Sequence, residues 1–341
     1  MTCTRAVLRA IATYLPAGRL TNAELAQQFP DWPAEKILAK TGIAERPIAS
    51  PEECSSDLGV AAAEALFRRG SCSRDEIDFL IFCTQSPDYF LPATACVVQD
   101  RLGLRTACGA LDINQGCSGF VYGLALAKSL VEAETAARVL LITAETYSKF
   151  IHPLDKSVRT VFGDGAAATL VSAFEGDHEM IGSFVLGTDG RGAPNLIVPA
   201  GGMRRPMSAE NGVALERESG NWRSEQNLFM NGPEIFNFTL ATIPQVVRTV
   251  LERWGRALDD VDLFVFHQAN RFMLEHLRAK LRLPAEKFWL DMEHVGNTVS
   301  STIPIALESA LAAGRIGPGS RVMLVGFGVG YSWAACMVTF T

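Results

Sequence analysis

The apolar positions of this 341-residue chain alternate between two textures. Short unbroken apolar runs, such as Phe79 to Cys83, Arg138 to Thr143, Leu263 to Phe266 and Arg321 to Val325, predict strands buried on both faces. Longer stretches with apolar residues at helical spacing predict helices over Asp57 to Arg69, Phe120 to Ala133, Pro233 to Trp254, Phe272 to Leu281 and Ile303 to Ala313. Strands buried on both sides and separated by helices imply α/β layers around a mostly parallel sheet.

The pattern also repeats. Asp75-Glu76-Ile77-Asp78-Phe79-Leu80-Ile81-Phe82-Cys83 matches Asp259-Asp260-Val261-Asp262-Leu263-Phe264-Val265-Phe266-His267, an offset of 184 from Asp78 to Asp262. Further on, Gly116-Cys117-Ser118-Gly119 opens one predicted helix and Gly296-Asn297-Thr298 opens its counterpart, an offset of 180 from Cys117 to Asn297. A duplicated fold follows, with one half over residues 1–174 and the other over 175–341, the turn falling where Glu175-Gly176-Asp177 interrupts the apolar run. Between Gly187 and Gln226 the composition shifts to Gly, Pro, Asn, Arg and Glu, which predicts a long excursion loop of the kind that tends to serve function.

Composition narrows the class. With 48% apolar and 20% charged residues the chain is globular, and a net charge of -6 supplies no basic excess for sequence-independent nucleic-acid binding. No apolar run approaches the roughly 20 residues of a spanning helix, and Arg5 and Arg9 break the first apolar segment, so neither a membrane anchor nor a signal peptide is expected. The eight cysteines are scattered without a Cys-x-x-Cys pair, which predicts reduced thiols in a cytoplasmic protein and no metal site.

Three of the polar residues are set apart by the repeat. Equivalent loop ends of a duplicated fold converge, which brings Cys117, His267 and Asn297 to one focus. Singly, a buried Cys, a His after a strand and an Asn after Gly are ordinary packing and turn residues; their joint placement is what marks them. Cys117 at a strand-to-helix turn is expected to have its thiol acidity raised by the helix N-terminus, whose free N–H groups also make an oxyanion site. A Cys-His-Asn set fits hydrolysis, with His as base and Asn orienting it. It fits equally the holding of an enolate oxygen by two neutral donors, His267 Nε2 and Asn297 Nδ2, after a malonyl thioester loses carbon dioxide.

The segments Asp112-Ile113-Asn114-Gln115-Gly116-Cys117-Ser118-Gly119-Phe120, Phe162-Gly163-Asp164-Gly165-Ala166-Ala167, His267-Gln268-Ala269-Asn270, Gly296-Asn297-Thr298 and Phe327-Gly328-Val329-Gly330-Tyr331-Ser332-Trp333 closely resemble the motifs of the β-ketoacyl-acyl carrier protein synthase III family in the thiolase superfamily, and Thr41-Gly42-Ile43 fits as well. The resemblance implies a five-layered αβαβα thiolase-like fold, a homodimer, and a ping-pong Claisen condensation without a cofactor. Coenzyme A or phosphopantetheine thioesters are then substrates, and acyl carrier protein and acyl-coenzyme A the partners. It implies that Cys117 takes up the primer acyl group and that His267 and Asn297 stabilise the malonyl-derived enolate. The backbone N–H groups of Cys117 and Val329 form the acyl oxyanion hole, and Phe327 lines the malonyl position. Phe162-Gly163-Asp164-Gly165 is read as structural, its glycines permitting a tight turn.

Departures from the family bear on the primer. Lys36 stands where the resemblance implies an adenine-stacking Trp, and Lys40 where it implies an Arg; Trp32 is the nearby substitute. The primer therefore arrives either on coenzyme A or on a carrier protein. Leu91, before Pro92, occupies the position that reaches across the dimer to close the partner's acyl tunnel. A gate smaller than an aromatic suggests a primer longer or bulkier than acetyl. Arg271, Arg278 and Arg282, with Lys280 nearby, form a basic stripe suited to an acidic carrier protein. Arg204 and Arg205 are weaker candidates for the same role. Acyl transfer from Cys117 to an alcohol or amine, and a non-catalytic partner-subunit role, are the competing readings.

Overall fold

Two five-stranded sheets of matching topology organise the molecule, a computed structural model of which describes residues 3–341. In the first sheet, strands Gly109–Ile113, Phe79–Cys83 and Arg138–Glu145 run parallel, and Gly165–Gly176 and Cys3–Tyr14 complete it antiparallel. The second repeats the order with Phe288–Trp289, Leu263–Phe266, Arg321–Gly328, Ser332–Thr339 and Ile181–Thr188. Each sheet is therefore mixed rather than mostly parallel. Three strands run parallel, while one, Gly165–Gly176 or Ser332–Thr339, runs the opposite way, pairs antiparallel with both its neighbours and joins the parallel strands to the strand that opens each half.

The duplication is visible in single side chains. Asp78 accepts the N–H of Arg138 at 3.0 Å, and Asp262 accepts that of Arg321 at 2.8 Å, so each aspartate anchors the first residue of the neighbouring parallel strand. Glu175 and Gly176 do not break the first half as the composition suggests: they remain in the ladder, opposite Thr4 and Cys3. The second sheet starts at Ile181.

Helices Gly119–Glu132 and Thr302–Ala312 lie between the sheets, burying Phe120, Val121, Leu124, Ile303, Ala306 and Leu307 in one core. Helix Ser55–Arg68 covers the outer face of the first sheet through Leu58, Ala62 and Leu66. Helices Gly232–Trp254 and Arg271–Leu281 cover the second through Val246, Val250, Leu274 and Leu277. The result is five layers, αβαβα, and it puts the N-terminal ends of both inner helices at the junction of the halves. The expected excursion runs from the end of strand Ile181–Thr188 to the start of helix Gly232–Trp254, a few residues beyond the predicted 187–226, and is folded by two short ladders, Leu196–Ile197 with Phe229–Met230 and Leu215–Glu216 with Trp222–Arg223.

Candidate active site

Cys117 sits just ahead of the inner helix Gly119–Glu132 and is almost wholly buried. The backbone N–H groups of Val329 and of Cys117 itself, the two donors expected to form an oxyanion hole, are the groups that favour an anion on its sulfur. The helix end does not win the electrostatic contest: burial in a water-poor pocket pushes the Cys117 thiol up to about 12, against the pull of those N–H groups. The expectation of an acidified thiol is thus overturned, because desolvation of a sulfur anion outweighs partial charges at a helix terminus. The strand end at Gly328 lies so close to the nucleophile that a Cβ there would stand 2.6 Å from the Cys117 sulfur, and only glycine fits.

His267 follows the strand Leu263–Phe266, its N–H bonded to the Val325 carbonyl at 2.8 Å, and it is buried. Nδ1 lies 2.7 Å from Thr302 Oγ1, while Nε2 enters no hydrogen bond among the described residues. Burial depresses its basicity to about 3, so the imidazole is neutral at any working pH. The Thr302 hydroxyl has one proton and two acceptors in reach, His267 Nδ1 and Val299 O at 3.1 Å; only when it donates into Nδ1 does the single imidazole proton reside on Nε2. Phe327, buried, meets the His267 ring edge-on with centroids 5.7 Å apart.

Asn297 is held on both sides by the first half: its N–H bonds Val161 O at 2.9 Å and its carbonyl accepts Gly163 N–H at 3.0 Å. Val299, in the left-handed region at φ 57, turns its N–H back onto Asn297 Oδ1 at 2.9 Å. A β-branched residue adopts that conformation at a cost, and here the result is an oriented amide whose Nδ2 is unengaged among the described residues. The glycines of Phe162-Gly163-Asp164-Gly165 act differently from expectation. Neither Gly163 nor Gly165 has a positive φ; a Cβ on Gly163 would lie 2.7 Å from Val295 O, so its role is to let the Asn297 segment approach. Asp164 accepts N–H groups from Ala49 and Ser148 at 2.8 and 2.9 Å, a structural tie.

A cleft of about 800 Å³ opens beside Val329, lined by Gln85, Asn114, Tyr147, Leu196 and Leu228 among others; Cys117, His267 and Asn297 are not among its lining residues. Tyr89 and Phe90 stand at its rim, and with Leu91 they make an apolar run, Phe90 and Leu91 being 77% and 80% exposed. Leu91 itself does not line the cleft of its own chain. The residues assigned to recognition of the donor or carrier are less coherent than the stripe pattern suggests. Arg271 pairs with Glu293 and Arg278 with Glu275, while Arg282 ends the helix in a left-handed conformation; Lys280 and Arg282 form no ion pair among the described residues. Arg205 pairs with Glu225. The ammonium groups of Lys36 and Lys40 lie over the Trp32 ring, 5.3 and 4.9 Å from its centroid, so that ring already carries two cations.

One participant escaped the sequence reading. Thr302, five positions after Asn297, has no motif to mark it, since its bond to His267 is a tertiary contact.

Two matching αβ halves with Cys, His and Asn gathered at their junction define a condensing-enzyme architecture of the thiolase superfamily. Family models described as 3-oxoacyl-[acyl-carrier-protein] synthase III and its C-terminal region match residues 111–190, which hold Cys117, and 251–340, which hold His267 and Asn297. The β-ketoacyl-[acyl-carrier-protein] synthase III of Caldanaerobacter subterraneus is 38% identical over 329 residues, 96% of either chain. A crystal structure of a 3-oxoacyl-(acyl-carrier-protein) synthase III superposes with a TM-score of 0.98 at 58% identity, covering 98% of this chain and 100% of that one. The 3-oxoacyl-(acyl-carrier protein) synthase of Burkholderia xenovorans does so at 0.90 and 37%, covering 100% and 96%. This chain belongs to the 3-oxoacyl-[acyl-carrier-protein] synthase III family.

Proposed function

We propose that the protein is an acyltransferase that condenses a primer acyl thioester with malonyl-acyl carrier protein, with loss of carbon dioxide, in fatty acid or specialised acyl-chain synthesis. The observation that carries this reading is the pair of unengaged donors, His267 Nε2 and Asn297 Nδ2, at the focus that also holds a buried Cys117 under two backbone N–H groups.

In the first half-reaction the Cys117 sulfur attacks the primer carbonyl. The carbon–sulfur bond to the donor breaks, and the donor thiol leaves with the proton that Cys117 gives up. The oxyanion formed on the way is held by the N–H groups of Cys117 and Val329. In the second, the bond between the malonyl carboxylate and its α-carbon breaks and carbon dioxide departs. The electron pair moves onto the thioester oxygen, where His267 and Asn297 donate to it. The enolate carbon then attacks the acyl-Cys117 carbonyl, the sulfur leaves, and one proton from solvent restores the thiol. Phe327 closes the malonyl side behind His267. No cofactor takes part, and coenzyme A or phosphopantetheine enters only as the carrier of substrate.

The apolar run Tyr89, Phe90 and Leu91 supports a homodimer in which Leu91 gates the partner's cleft, and a leucine there with a cleft of this volume supports a primer longer or bulkier than acetyl. The cationic residues Lys36, Lys40, Arg271, Arg278, Lys280 and Arg282 are the proposed contacts for the donor phosphate or an acidic carrier protein. A cytoplasmic location fits seven described cysteines that are all free and helices none of which is long and apolar enough to cross a membrane.

Intact-mass measurement with a panel of acyl thioesters tests the division of roles. Cys117→Ala should abolish the acyl adduct while retaining malonyl decarboxylation, and Asn297→Ala should be acylated normally but lose decarboxylation by about 100-fold, the scale of one lost oxyanion donor. Equal loss of both partial reactions in both variants would refute it.

A further inference from the structure

Two buried hydroxyl groups that no step above uses meet across the junction, beside the acyl oxyanion hole. Ser118, the residue after the nucleophile, and Ser332, in the second half, are both almost wholly buried, and their Oγ atoms lie 2.7 Å apart. Ser332 Oγ also lies 2.9 Å from the Val329 carbonyl and 3.3 Å from Gln115 Oε1. Each hydroxyl has one proton. Ser332 gives its own to the nearer carbonyl, that of Val329, and Ser118 donates into Ser332 Oγ. The Val329 carbonyl has no other hydrogen-bond partner among the described residues. Ser118 is also the N-cap of the inner helix Gly119–Glu132, where a serine ordinarily accepts a helix N–H. Here its side chain makes no capping bond and reaches to the other half instead.

The turn that carries Val329 is held firmly at Tyr331, whose N–H and carbonyl both bond Asp189, at 2.8 and 2.9 Å. The Tyr331 hydroxyl accepts Asn195 Nδ2 at 2.7 Å, and its ring stacks on Phe238 with centroids 4.1 Å apart. Before the turn, the strand end presses on the nucleophile, since a Cβ on Gly326 would stand 2.7 Å from the Cys117 carbonyl and from Ser118 Cα. Between these two fixed points, the hydroxyl pair is what ties Val329 itself to the segment of Cys117. We infer that Ser118 and Ser332 are positioning residues, a clamp across the two halves that holds the Val329 peptide beside Cys117 and so sets the oxyanion hole for acyl transfer. The inference rests on the acylation step of the condensation reading and involves neither His267 nor Asn297.

The test compares two reactions of Cys117 in the same samples. In the first its sulfur attacks the carbonyl of p-nitrophenyl acetate, an oxyanion forms, p-nitrophenolate leaves and the thiol proton goes to solvent. In the second its sulfur displaces iodide from iodoacetamide, and no oxyanion forms. Both consume thiolate, so the ratio of the burst rate to the alkylation rate cancels its supply and leaves the oxyanion hole. Ser332→Ala should lower that ratio about tenfold, less than the ~100-fold of a deleted oxyanion donor because the Val329 N–H remains and is only freed to move. Ser118→Ala should lower it by about threefold, and the double variant no further than Ser332→Ala, because both changes break one chain of bonds. Ser332→Thr keeps the hydroxyl and should keep the wild-type ratio. A wild type without a burst, a ratio unchanged in Ser332→Ala, losses that multiply in the double variant, or an equal fall in Ser332→Thr would overturn the inference. Product analysis with acyl and malonyl thioesters separates the two claims: a ratio that follows the hydroxyls without any β-ketoacyl product would support the clamp and refute condensation.

Discussion

At the residue scale, the chemistry depends on neutral groups kept out of water. His267 has its basicity depressed by burial, so a donor role for Nε2 requires that the one proton stay on that nitrogen. Because the folded value lies far below the ordinary 6.5, lowering the pH from 7.5 to 5 leaves His267 uncharged. Malonyl decarboxylation measured by carbon dioxide release should therefore show no acid limb centred near 6.5, and a limb at that pH that vanishes in His267→Ala would contradict this. Thr302 bears on the same proton. Thr302→Val keeps the shape of the side chain but cannot donate to Nδ1, and should lower decarboxylation roughly tenfold while leaving Cys117 acylation unchanged. Loss of acylation to the same degree would assign Thr302 to packing alone.

At the element scale, the site is assembled from ends rather than from any one helix or strand. Asn297 is positioned by a turn of the first half, through Val161 and Gly163, although it belongs to the second. Gly163 is the narrow point: Gly163→Ala forces a methyl group against the Val295 carbonyl and should cost about 1–3 kcal/mol of stability, the usual penalty for overpacking. Decarboxylation should fall further than acylation, because the displaced segment holds Asn297 and not Cys117. Paired measurement of thermal unfolding and of the two partial reactions checks both effects. Helices Ser55–Arg68, Gly119–Glu132, Gly232–Trp254, Arg271–Leu281 and Thr302–Ala312 and the parallel strands Phe79–Cys83, Arg138–Glu145, Leu263–Phe266 and Arg321–Gly328 were legible in the apolar runs to within a few residues, since periodicity reports burial; the parallel strands Gly109–Ile113 and Phe288–Trp289 and the helices Asn22–Gln28, Ala34–Thr41 and Thr94–Arg101 were not. The antiparallel strands Gly165–Gly176 and Ile181–Thr188 were not, because their small residues, Gly165 to Ala168 above all, carry little strand signature.

At the scale of the whole molecule, the exposed run Tyr89, Phe90 and Leu91 at the cleft rim is poor company for water, and a second copy of the chain is the proposed cover. Sedimentation should report a species of twice 36.9 kDa, and Leu91→Glu should shift it toward the single chain at micromolar concentration and broaden the range of primer lengths accepted. A single-chain species in the wild type would sink the dimer and its gate together.

The amino-acid sequence by itself determined the duplication and the α/β layers and singled out Cys117, His267 and Asn297, while the five-layered αβαβα order was implied only by the family resemblance. The duplication and the three residues follow from local pattern repeated at offsets of 184 and 180, and a repeat carries its own register. Only the tertiary structure decided the electrical character of those groups. The helix terminus that should have acidified Cys117 is overruled by burial, and burial is a sum over distant segments that no local pattern contains. The same holds for Thr302 behind His267 and for Ser332 behind Val329. Each is joined to the site by hydrogen bonds between segments 35 or more residues apart, and those distances exist only once the two halves have closed on each other.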